Sequence, residues 1–394
     1  ETLGSNEEQL LSSLKEFHDK FYSANLMKLI LVGNQSSKEL EKLARKYFSN
    51  IKNKKVARPV TEISAYREQD LSKEIFIRSK IKSPIFLVEF PIKDNRSQWK
   101  SKPNQYIAKL INSQEDGSLM TMLQDKGLIQ SGQATLMPSA WGKDGSAFVE
   151  YSLTEKGEKN KELILYSTHQ FIDLIKSTGI DQAYFDELAS INSIQFEDYQ
   201  SPSALSLAVQ FGQKVFDWPS ENLIDSAYVT SEFNANAIKD VLDQMTPERS
   251  RIYHIGPNEV SDIDLKYADG AFRVKSLIAK KLTAPASSNI ALRLPQPEII
   301  ENETDAQMVQ SDKFQRPVRI YQDIGVQAYL SNSQDHPGKE GILNLGIISS
   351  VPSESVNNLV SSWILNTAFL KANRRIIQRA GQRGVIISSM PNAD

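Results

Sequence analysis

The stretch Ser118-Leu-Met-Thr-Met-Leu-Gln-Asp-Lys-Gly127 decides the fold, because it follows a predicted strand and helix and a related stretch occurs near the end of the chain. From Phe86 to Gly132 the order is strand, helix, this stretch and an apolar strand. From Leu343 to Ser389 the order recurs, and Ile377-Gln-Arg-Ala-Gly-Gln-Arg-Gly384 aligns its Arg-Gly on Lys126-Gly127. The two copies are separated by a domain-sized distance, which predicts tandem homologous domains.

A second pair of segments also indicates repetition. In each, a helix leads through a turn into a strand that ends in glycine, namely Leu29-Ile-Leu-Val-Gly33 and Arg251-Ile-Tyr-His-Ile-Gly256. The chain is therefore predicted to hold the tail of one domain, one whole domain and the start of a third. Such phasing indicates a fragment of a longer protein.

Changes in composition give the expected boundaries. Residues 1–60 form the tail of the first domain, and 61–280 form the complete second domain. Residues 281–317 are spaced by prolines and weakly periodic, which is typical of an extended linker rather than a packed element. Residues 318–394 begin the third domain. Strands in consecutive hairpins followed by helices predict an α+β class, each domain having a mostly antiparallel sheet with helices packed on one face.

Local patterns predict individual elements. The segments Lys73–Arg78 and Ile85–Phe90 suit two neighbouring strands, and Pro91 is expected to end the second. Ser201-Pro202 has the residue types of a helix start. Three further strands are predicted at Leu26–Val32, Val318–Leu330 and Ile342–Ser350, the last two as a pair.

The composition excludes several classes of protein. The chain is 40% hydrophobic and 24% charged, with a formal net charge of -2, so nothing draws it to nucleic acid or to an anionic membrane. It has no apolar run long enough to span a bilayer. Because it has no cysteine, disulfides, thiolate metal sites and thiol nucleophiles are all excluded.

Residues with catalytic chemistry are sparse. The four histidines, His18, His169, His254 and His336, lack metal-ligand spacing, and the first three lie in predicted helices or a strand. Glu115-Asp116-Gly117-Ser118 is an acidic cluster that is more simply a helix start. The four tryptophans are far apart in sequence and are interpreted as core or turn residues. We therefore expect no catalytic residue and no metal ligand within these residues.

Several motifs together resemble the insulinase/pitrilysin-type zinc metallopeptidases, also called inverzincins. The segment Phe17-His-Asp-Lys-Phe-Tyr-Ser-Ala-Asn-Leu-Met27, with the strand to Gly33, is similar to the end of that family's catalytic domain. The later motifs resemble the family's second domain and the linker between its halves, and they occur in the family's order over nearly the whole chain. They are Phe90-Pro-Ile-Lys-Asp94, the helix at Lys102-Pro, Gly117-Ser-Leu with Leu123-Gln-Asp-Lys-Gly127, Thr246-Pro-Glu248 and Leu294-Pro-Gln-Pro297.

The resemblance implies a zinc endopeptidase whose catalytic residues are missing from this sequence. In the family a His-x-x-Glu-His helix and a later glutamate bind zinc, and the glutamate within the motif activates water. All of these are expected before residue 1, in the domain of which 1–60 would be the tail. The corresponding helices here, Gln105-Tyr-Ile-Ala-Lys-Leu-Ile111 and Val360-Ser-Ser-Trp-Ile-Leu365, contain neither histidine nor glutamate. No cofactor is therefore expected in this chain.

The resemblance also implies a place for the substrate. In larger relatives two halves close around a peptide, and an edge strand of the second domain extends the peptide's sheet. The residues expected at that strand are Ser131, Gly132, Gln133, Ala134, Thr135, Leu136 and Met137. An internal strand without a ligand is the simpler alternative. One motif differs, since relatives often have His-Glu-Gly before the Gly-Ser-Leu turn and this chain has Gln114-Glu115-Asp116.

Three hypotheses follow. The chain is the substrate-binding, chamber-forming middle of a zinc metalloendopeptidase that degrades peptides, or an inactive partner subunit of the same fold, or a self-sufficient enzyme that uses His336 or the acidic turn. The expected partners are a peptide substrate and the remaining domains or halves of the same protease, with a homo-oligomer left open. Neither nucleic acid nor a membrane is expected as a partner. The bacterial periplasm is favoured over the cytoplasm by the resemblance alone.

Overall fold

Strand β2 (Ile85–Lys93) shows how the sequence makes one apolar and one polar sheet face. Side chains alternate between the two faces along a strand. Phe86, Val88, Phe90 and Ile92 therefore share one face, and each is buried. Glu89 lies on the opposite face and is also buried, among polar neighbours. The first face packs against helices and the second carries a hydrogen-bonded polar cluster.

The structure is a computed structural model. It describes residues 7–59, 61, 63–141, 143–197, 199, 203–266, 269–277, 291–298, 317–323, 326–330 and 350–389. Contacts between Cα atoms divide the chain into two units, Glu1–Ile299 and Ile300–Asp394.

The first unit contains most of the regular structure. Its helices are α1 (Glu7–Phe21), α2 (Ser37–Phe48), α3 (Pro103–Ile111), α4 (Leu119–Asp125), α5 (Glu155–Glu158), α6 (Lys161–Thr178), α7 (Gln182–Glu197), α8 (Ala204–Lys214) and α9 (Ala235–Leu242). Its strands besides β2 are β1 (Lys73–Arg78), β3 (Ile129–Trp141), β4 (Asp144–Leu153), β5 (Arg251–Gly256), β6 (Ile263–Asp264) and β7 (Ala271–Ser276).

These strands form one seven-stranded sheet in the order β3-β4-β2-β5-β1-β7-β6. All neighbours are antiparallel except β1 and β5, which are parallel. The prediction that β1 and β2 are neighbours is wrong, because β5 lies between them and pairs with both. Strand β5 suits this central place because its alternate residues Ile252, His254 and Gly256 are buried. The mostly antiparallel α+β class is confirmed.

Pro91 lies inside β2 and does not end it, contrary to the sequence prediction. It is paired with Ser146 of β4. Its carbonyl oxygen points to the other side of the strand, where Arg249 Nη2 donates to it at 3.1 Å. Strand β5 pairs with β2 only as far as Glu89, so no strand lies opposite Pro91 on that side. Because no described strand accepts a hydrogen bond from residue 91 on that side, the missing N–H of proline removes no hydrogen bond from the sheet.

The helices cover one face of the sheet. A single buried cluster joins the apolar residues of β2, β3 and β4 to those of α3, α4, α6, α7 and α9. Pro103 at the first position of α3 and the Asn234 side chain, which accepts from the Ala237 N–H at 3.0 Å before α9, explain where two of these helices begin. Helix α8 begins after Ser203, whose hydroxyl accepts from the Ser206 N–H, and the helix start predicted at Ser201-Pro202 lies outside the described residues.

The two stretches aligned in the sequence end in the same turn. Gly127 has φ +66°, and the N–H of Leu128 donates to the Leu123 carbonyl at 3.0 Å. Gly384 has φ +77°, and the N–H of Val385 donates to the Ala380 carbonyl at 2.9 Å. A left-handed glycine closed by this hydrogen bond is a common helix ending, and it explains why glycine occurs at both positions.

The other pair of aligned segments differs in structure. Gly256 ends strand β5, but residues 26–32 form no strand, which corrects that prediction. Among the described residues no strand pairs with residues 26–32, and without a ladder partner an apolar run is not assigned as a strand. Leu29 and Leu31 are exposed there.

Residues 291–298 lie at the end of the first unit and pack against the rest of it, although they contain no helix or strand. The N–H of Arg293 donates to the Gly117 carbonyl at 2.9 Å, and the Tyr184 hydroxyl donates to the Pro295 carbonyl at 2.8 Å. Pro295 is buried. This part of the predicted linker is therefore extended but packed. The rest of 281–317, apart from residue 317, lies outside the described residues.

The second unit contains a hairpin and two helices. Strands β8 (Val318–Asp323) and β9 (Val326–Leu330) pair with each other, so the single strand predicted over this range is two strands. Helices α10 (Val356–Ala372) and α11 (Arg374–Gln382) follow, and neither has a buried residue. The strand predicted at Ile342–Ser350 lies, except for Ser350, outside the described residues. The domain boundaries stay a prediction.

Candidate functional site

The candidate site is the outer edge of β3. This strand is the first in the sheet order, and among the strands that the structure describes it pairs only with β4. All seven residues expected from the sequence, Ser131 to Met137, lie within it and pair in register with residues 152 to 146 of β4. The edge strand of a sheet presents a row of main-chain N–H and C=O groups to a further strand. The chain therefore has the backbone geometry that peptide docking by strand addition requires.

Every second residue of β3 points its main-chain groups to the outer edge. Asn112 shows which ones, because its side chain binds both main-chain groups of Ala134 from outside the sheet. In an antiparallel ladder the residues two positions away face the same way. The main-chain groups of Gly132 and Leu136 therefore also face outward. No group in the described part of the chain forms a hydrogen bond with them on that side. Pro138 faces outward too, and its carbonyl accepts from the Asn95 N–H at 3.0 Å.

Asn112 fills one rung of this open edge. Its Nδ2 donates to the Ala134 carbonyl at 2.8 Å, and the Ala134 N–H donates to its Oδ1 at 2.6 Å. A carboxamide that makes both bonds reproduces what a residue of an added strand would do. The outer edge of β3 thus has two open rungs, at Gly132 and Leu136, separated by one that is already filled.

Helix α3 holds Asn112 in place. Asn112 follows the last helical residue, and its N–H donates to the Ala108 carbonyl at 2.9 Å. Tyr106, Ile107, Leu110 and Ile111 of this helix are buried in the core. Since the helix is fixed by this packing, the carboxamide at its end is fixed relative to the edge of β3.

The side chains of β3 also divide by face. Ala134 and Leu136 are buried with the helices, whereas Ser131, Gln133 and Thr135 are exposed on the other face. Gly132 shares the buried face, and a β-carbon there would lie 2.7 Å from Met120 Sδ and 2.9 Å from the Tyr151 ring. Glycine is therefore required at this open rung by packing. Met137 is partly buried.

A cavity of about 220 Å³ lies beside the far end of β3. Leu136 and Pro138 line it, as do Trp99 and Trp218, whose rings meet edge to face with centroids 5.5 Å apart. The sequence analysis missed this pairing, because the two tryptophans are distant in the chain. Of the motifs quoted from the sequence, Lys102-Pro is the one that lies at this cavity. Lys102 lines the cavity and has φ +48°, a strained backbone conformation for a residue other than glycine.

A polar cluster lies on the opposite face of the sheet around Glu89. The hydroxyls of Tyr66, Tyr253 and Ser146 donate to its carboxylate at 2.5, 2.6 and 3.0 Å. Arg251 Nε lies 3.5 Å from the same carboxylate. Burial, together with the neighbouring Glu89 carboxylate, raises the pKa of Tyr66 and of Tyr253, so both phenols remain hydrogen-bond donors. The hydrogen-bond network of the cluster consists of the three hydroxyls and the carboxylate, whereas Arg251 Nε has no hydrogen-bond partner among the described residues.

The residues that could have held a metal are dispersed. Within the described ranges no group of three or more histidine, aspartate or glutamate side chains is arranged to hold a metal ion. His18 lies on α1, His169 on α6 and His254 on β5, whereas His336 lies outside the described residues. The acidic turn precedes α4, and its Ser118 hydroxyl donates to the carbonyls of Ser113 and Glu115. The residues present do not fit a zinc site.

No helix within the described residues combines the length and the apolar composition needed to cross a membrane.

Two family models match the chain. One is described as "Peptidase M16 inactive domain" and matches residues 10–192. The other is described as "Middle or third domain of peptidase M16" and matches residues 195–385. Together they account for nearly the whole chain, so the predicted resemblance to the insulinase/pitrilysin-type peptidases is confirmed.

Individual proteins of the same family are also similar to this chain. Protease 3 of Escherichia coli (strain K12) is 31% identical over 288 residues, 72% of this chain and 30% of that protein. Insulin-degrading enzyme of Drosophila melanogaster is 26% identical over 315 residues, 78% of this chain and 31% of that protein. The chain thus spans about a third of the length of these relatives. The crystal structure of pitrilysin superposes with a TM-score of 0.76 at 26% identity, covering 97% of this chain and 41% of that one. The chain therefore belongs to the M16 peptidase family and carries domains of its inactive and middle types.

Proposed function

We propose that this chain is the non-catalytic, peptide-binding part of a zinc-dependent metalloendopeptidase that degrades peptides. The zinc ligands and the glutamate that activates water would belong to residues outside this sequence, as the resemblance implies. The observation that carries the proposal is the position of β3 at the edge of the sheet, with main-chain groups directed away from β4. The other domains or halves of the same protease would be its partners.

In this proposal an extended peptide adds a strand to β3. It would displace the Asn112 side chain from the rung at Ala134 and exchange hydrogen bonds with the main-chain groups of Gly132 and Leu136 on either side. Residues Ser131 to Met137 would form the binding site. Main-chain pairing accepts many sequences, which suits a protease that degrades varied peptides. The exposed side chains of Gln133 and Thr135 leave that face of the strand polar.

An inactive partner subunit of the same fold is the alternative. The first function is favoured because the inactive-type and middle-type models match consecutive parts of this one chain. A continuous match to Protease 3 over 288 residues supports the same conclusion. An inactive partner would act as a chamber wall or assembly component, and the two functions differ in whether the zinc motif of the complete protein is intact.

Replacing Asn112 with alanine is expected to strengthen peptide binding. The variant opens the Ala134 rung, so an added strand gains up to two hydrogen bonds to the middle of the site. At about 0.5 kcal/mol for each bond, the low end of the usual range, the affinity should rise roughly fivefold. Fluorescence anisotropy of a labelled extended peptide would measure it.

The matched control is Asn160→Ala, which removes an asparagine side chain whose amide donates to the Lys156 carbonyl. It should leave the affinity unchanged. Peptides methylated on alternate main-chain nitrogens test the docking mode, because only one of the two alternate sets faces β3 and should lose affinity. If Asn112→Ala leaves the affinity unchanged and both methylated sets bind equally well, peptides do not pair with β3.

The purified chain is expected to cleave no peptide on its own. Quenched fluorescent peptides incubated with the chain and zinc should give no signal above that of buffer, because no zinc site fits the residues that the structure describes. Bound zinc should be well below one ion per chain. Chelator-sensitive cleavage that persists through purification would place a metal site in this chain and overturn the proposal.

The domain organisation and the compartment belong to the same proposal. Residues 1–60 would complete a preceding catalytic-type domain, 61–280 would be the second domain, 281–317 would join the two halves, and 318–394 would begin a third. The bacterial periplasm is the compartment favoured by the resemblance. A homo-oligomer is compatible with the proposal, and size-exclusion chromatography with light scattering would test it.

A further inference from the structure

Among the described residues, the charged ones that line the cavity beside β3 are all basic, namely Arg96, Lys102 and Lys214. Arg96 is neutralised, because its guanidinium pairs with Asp94 at 2.7 Å and with Asp217 at 3.0 Å. In the described part of the chain no carboxylate lies within 4.0 Å of either lysine ammonium. The cavity therefore has two cations that lack a close counter-charge.

Lys102 is held at the cavity although its charge is poorly solvated. Its side chain is buried, and its Nζ donates to the Ser226 carbonyl at 2.5 Å. Burial, together with the nearby Lys214 ammonium, lowers the pKa of Lys102 to about 8, whereas Asp225 acts in the opposite direction. A bound anion would relieve both unfavourable effects.

Two kinds of hydrogen-bond donor complete the site. Ser226 lines the cavity and is 1% exposed, and its hydroxyl has no partner in the part of the chain that the structure describes. Helix α3 begins at the same place, and its N-cap residue Lys102 makes no side-chain cap. The first N–H groups of a helix lack intrahelical partners and favour anions. Asn104 and Gln105, which carry two of these groups, also line the cavity.

The remaining walls are mostly apolar, formed mainly by Trp99, Trp218, Leu136 and Pro138, although Asn95 and Gln98 also line the cavity. At about 220 Å³ the cavity is smaller than the roughly 300 Å³ at which pockets for drug-sized ligands begin. Its size and its lining suit a single amino-acid residue that has both an apolar part and a carboxylate. Leu136 both lines the cavity and forms the last open rung of β3, so a peptide on that edge would reach the cavity directly.

We propose that this cavity binds a carboxylate of the peptide that docks on β3. The carboxylate is either the C-terminus of the peptide or an aspartate or glutamate side chain. It would lie between the Lys102 and Lys214 ammonium groups and accept a hydrogen bond from the Ser226 hydroxyl. The inference rests on the proposed function for the peptide, whereas binding of a free carboxylate at the cavity does not depend on β3.

The first experiment uses small probes and the complete chain. N-acetyl-leucine and its amide are titrated against the chain, and the binding is followed by tryptophan fluorescence, since Trp99 and Trp218 line the cavity. Because hydrogen bonds to charged groups are worth more than neutral ones, the acid should bind about tenfold more tightly than the amide. The preference should weaken as the pH rises through about 8, where Lys102 loses its proton.

Variants identify the site. Lys214→Met should abolish the preference for the acid, and Ser226→Ala should reduce it. Lys159→Met is the matched control, because Lys159 is an exposed lysine next to α5. Helix α5 follows the end of β4, and that end pairs with the start of β3, whereas the cavity lies beside the other end of β3. Equal binding of acid and amide, or a preference that survives Lys214→Met, would overturn the proposal.

Labelled peptides then separate the two sources of the carboxylate. If the C-terminus is bound, amidation should weaken binding about tenfold, and if a side chain is bound, glutamate to glutamine should do so. Either loss should disappear in Lys214→Met. If N-acetyl-leucine binds with the expected preference but neither peptide change matters, the cavity takes free carboxylates only, and the link to β3 is wrong. If peptides also fail to bind at all, the proposed function fails while the carboxylate site stands.

Discussion

Replacement of Glu89 with alanine is expected to lower the free energy of unfolding of the first unit by about 3 kcal/mol. The carboxylate is 3% exposed and accepts hydrogen bonds from the hydroxyls of Tyr66, Tyr253 and Ser146. Removing one member of a buried charged network leaves the others desolvated and unpaired, which typically costs 3–5 kcal/mol. We expect a cost at the lower end of this range, because both tyrosines are partly exposed and water can reach the space that the carboxylate leaves.

Glu89→Gln removes the charge of the side chain but keeps its shape, so it measures the contribution of the charge to stability. The amide keeps one acceptor but presents its NH2 group to hydroxyl donors, so the variant should lose about 1–2 kcal/mol. Glu150→Ala is the matched control, because Glu150 is an exposed glutamate on the neighbouring strand β4. It should change stability by about 0.5 kcal/mol or less.

Urea unfolding, together with the exchange rates of β2 amide hydrogens, would measure these differences in the sheet itself. A cost below about 1 kcal/mol for Glu89→Ala would show that the tyrosines and Arg251 are satisfied without the carboxylate. The cluster would then contribute little to stability.

The sequence predicted the elements better than their arrangement. Strands β1 and β2 were recognised at Lys73–Arg78 and Ile85–Phe90 from local patterns, because each pattern is complete within one segment. The place of β5 between β1 and β2 could not be predicted this way. It depends on pairing with residues about 170 positions away in the chain, and local patterns contain no information about such partners.

The candidate site shows the same division. The family resemblance located the edge strand at Ser131–Met137, but nothing in the sequence indicated that Asn112 fills the rung at Ala134. An asparagine after a helix is normally interpreted as a helix end. Its second role exists only because α3 packs with that end beside β3. The pairing of Trp99 with Trp218 depends in the same way on tertiary packing.

Acid should destabilise this protein through His169. This side chain is 4% exposed on α6, its Nε2 has no hydrogen-bond partner among the described residues, and its ring lies edge to face against Phe90 at 5.5 Å between centroids. Burial lowers its pKa to about 4, although Glu248 acts in the opposite direction. In the unfolded chain the pKa of a histidine is about 6.5.

The direction of the pH effect follows from these two values. Above about pH 6.5 the ring is neutral in both states and has no influence. Between about 6.5 and 4 the unfolded chain binds a proton that the native protein does not, so each pH unit lost removes up to about 1.4 kcal/mol of stability. From pH 7 to 4.5 the expected loss is on the order of 2–3 kcal/mol.

His169→Leu should remove this dependence, because leucine fills a similar apolar space and does not titrate. The variant and the parent chain would be unfolded in urea at pH 7 and at pH 4.5, and the variant should lose about 2–3 kcal/mol less between the two. His18→Leu is the control, since its side chain is 61% exposed on α1 and changing it should leave the pH dependence as it was. Equal pH dependence in the His169 variant and the parent would mean that this histidine is protonated in the native core. It would then need a partner, and the packing against Phe90 would have to change to admit one.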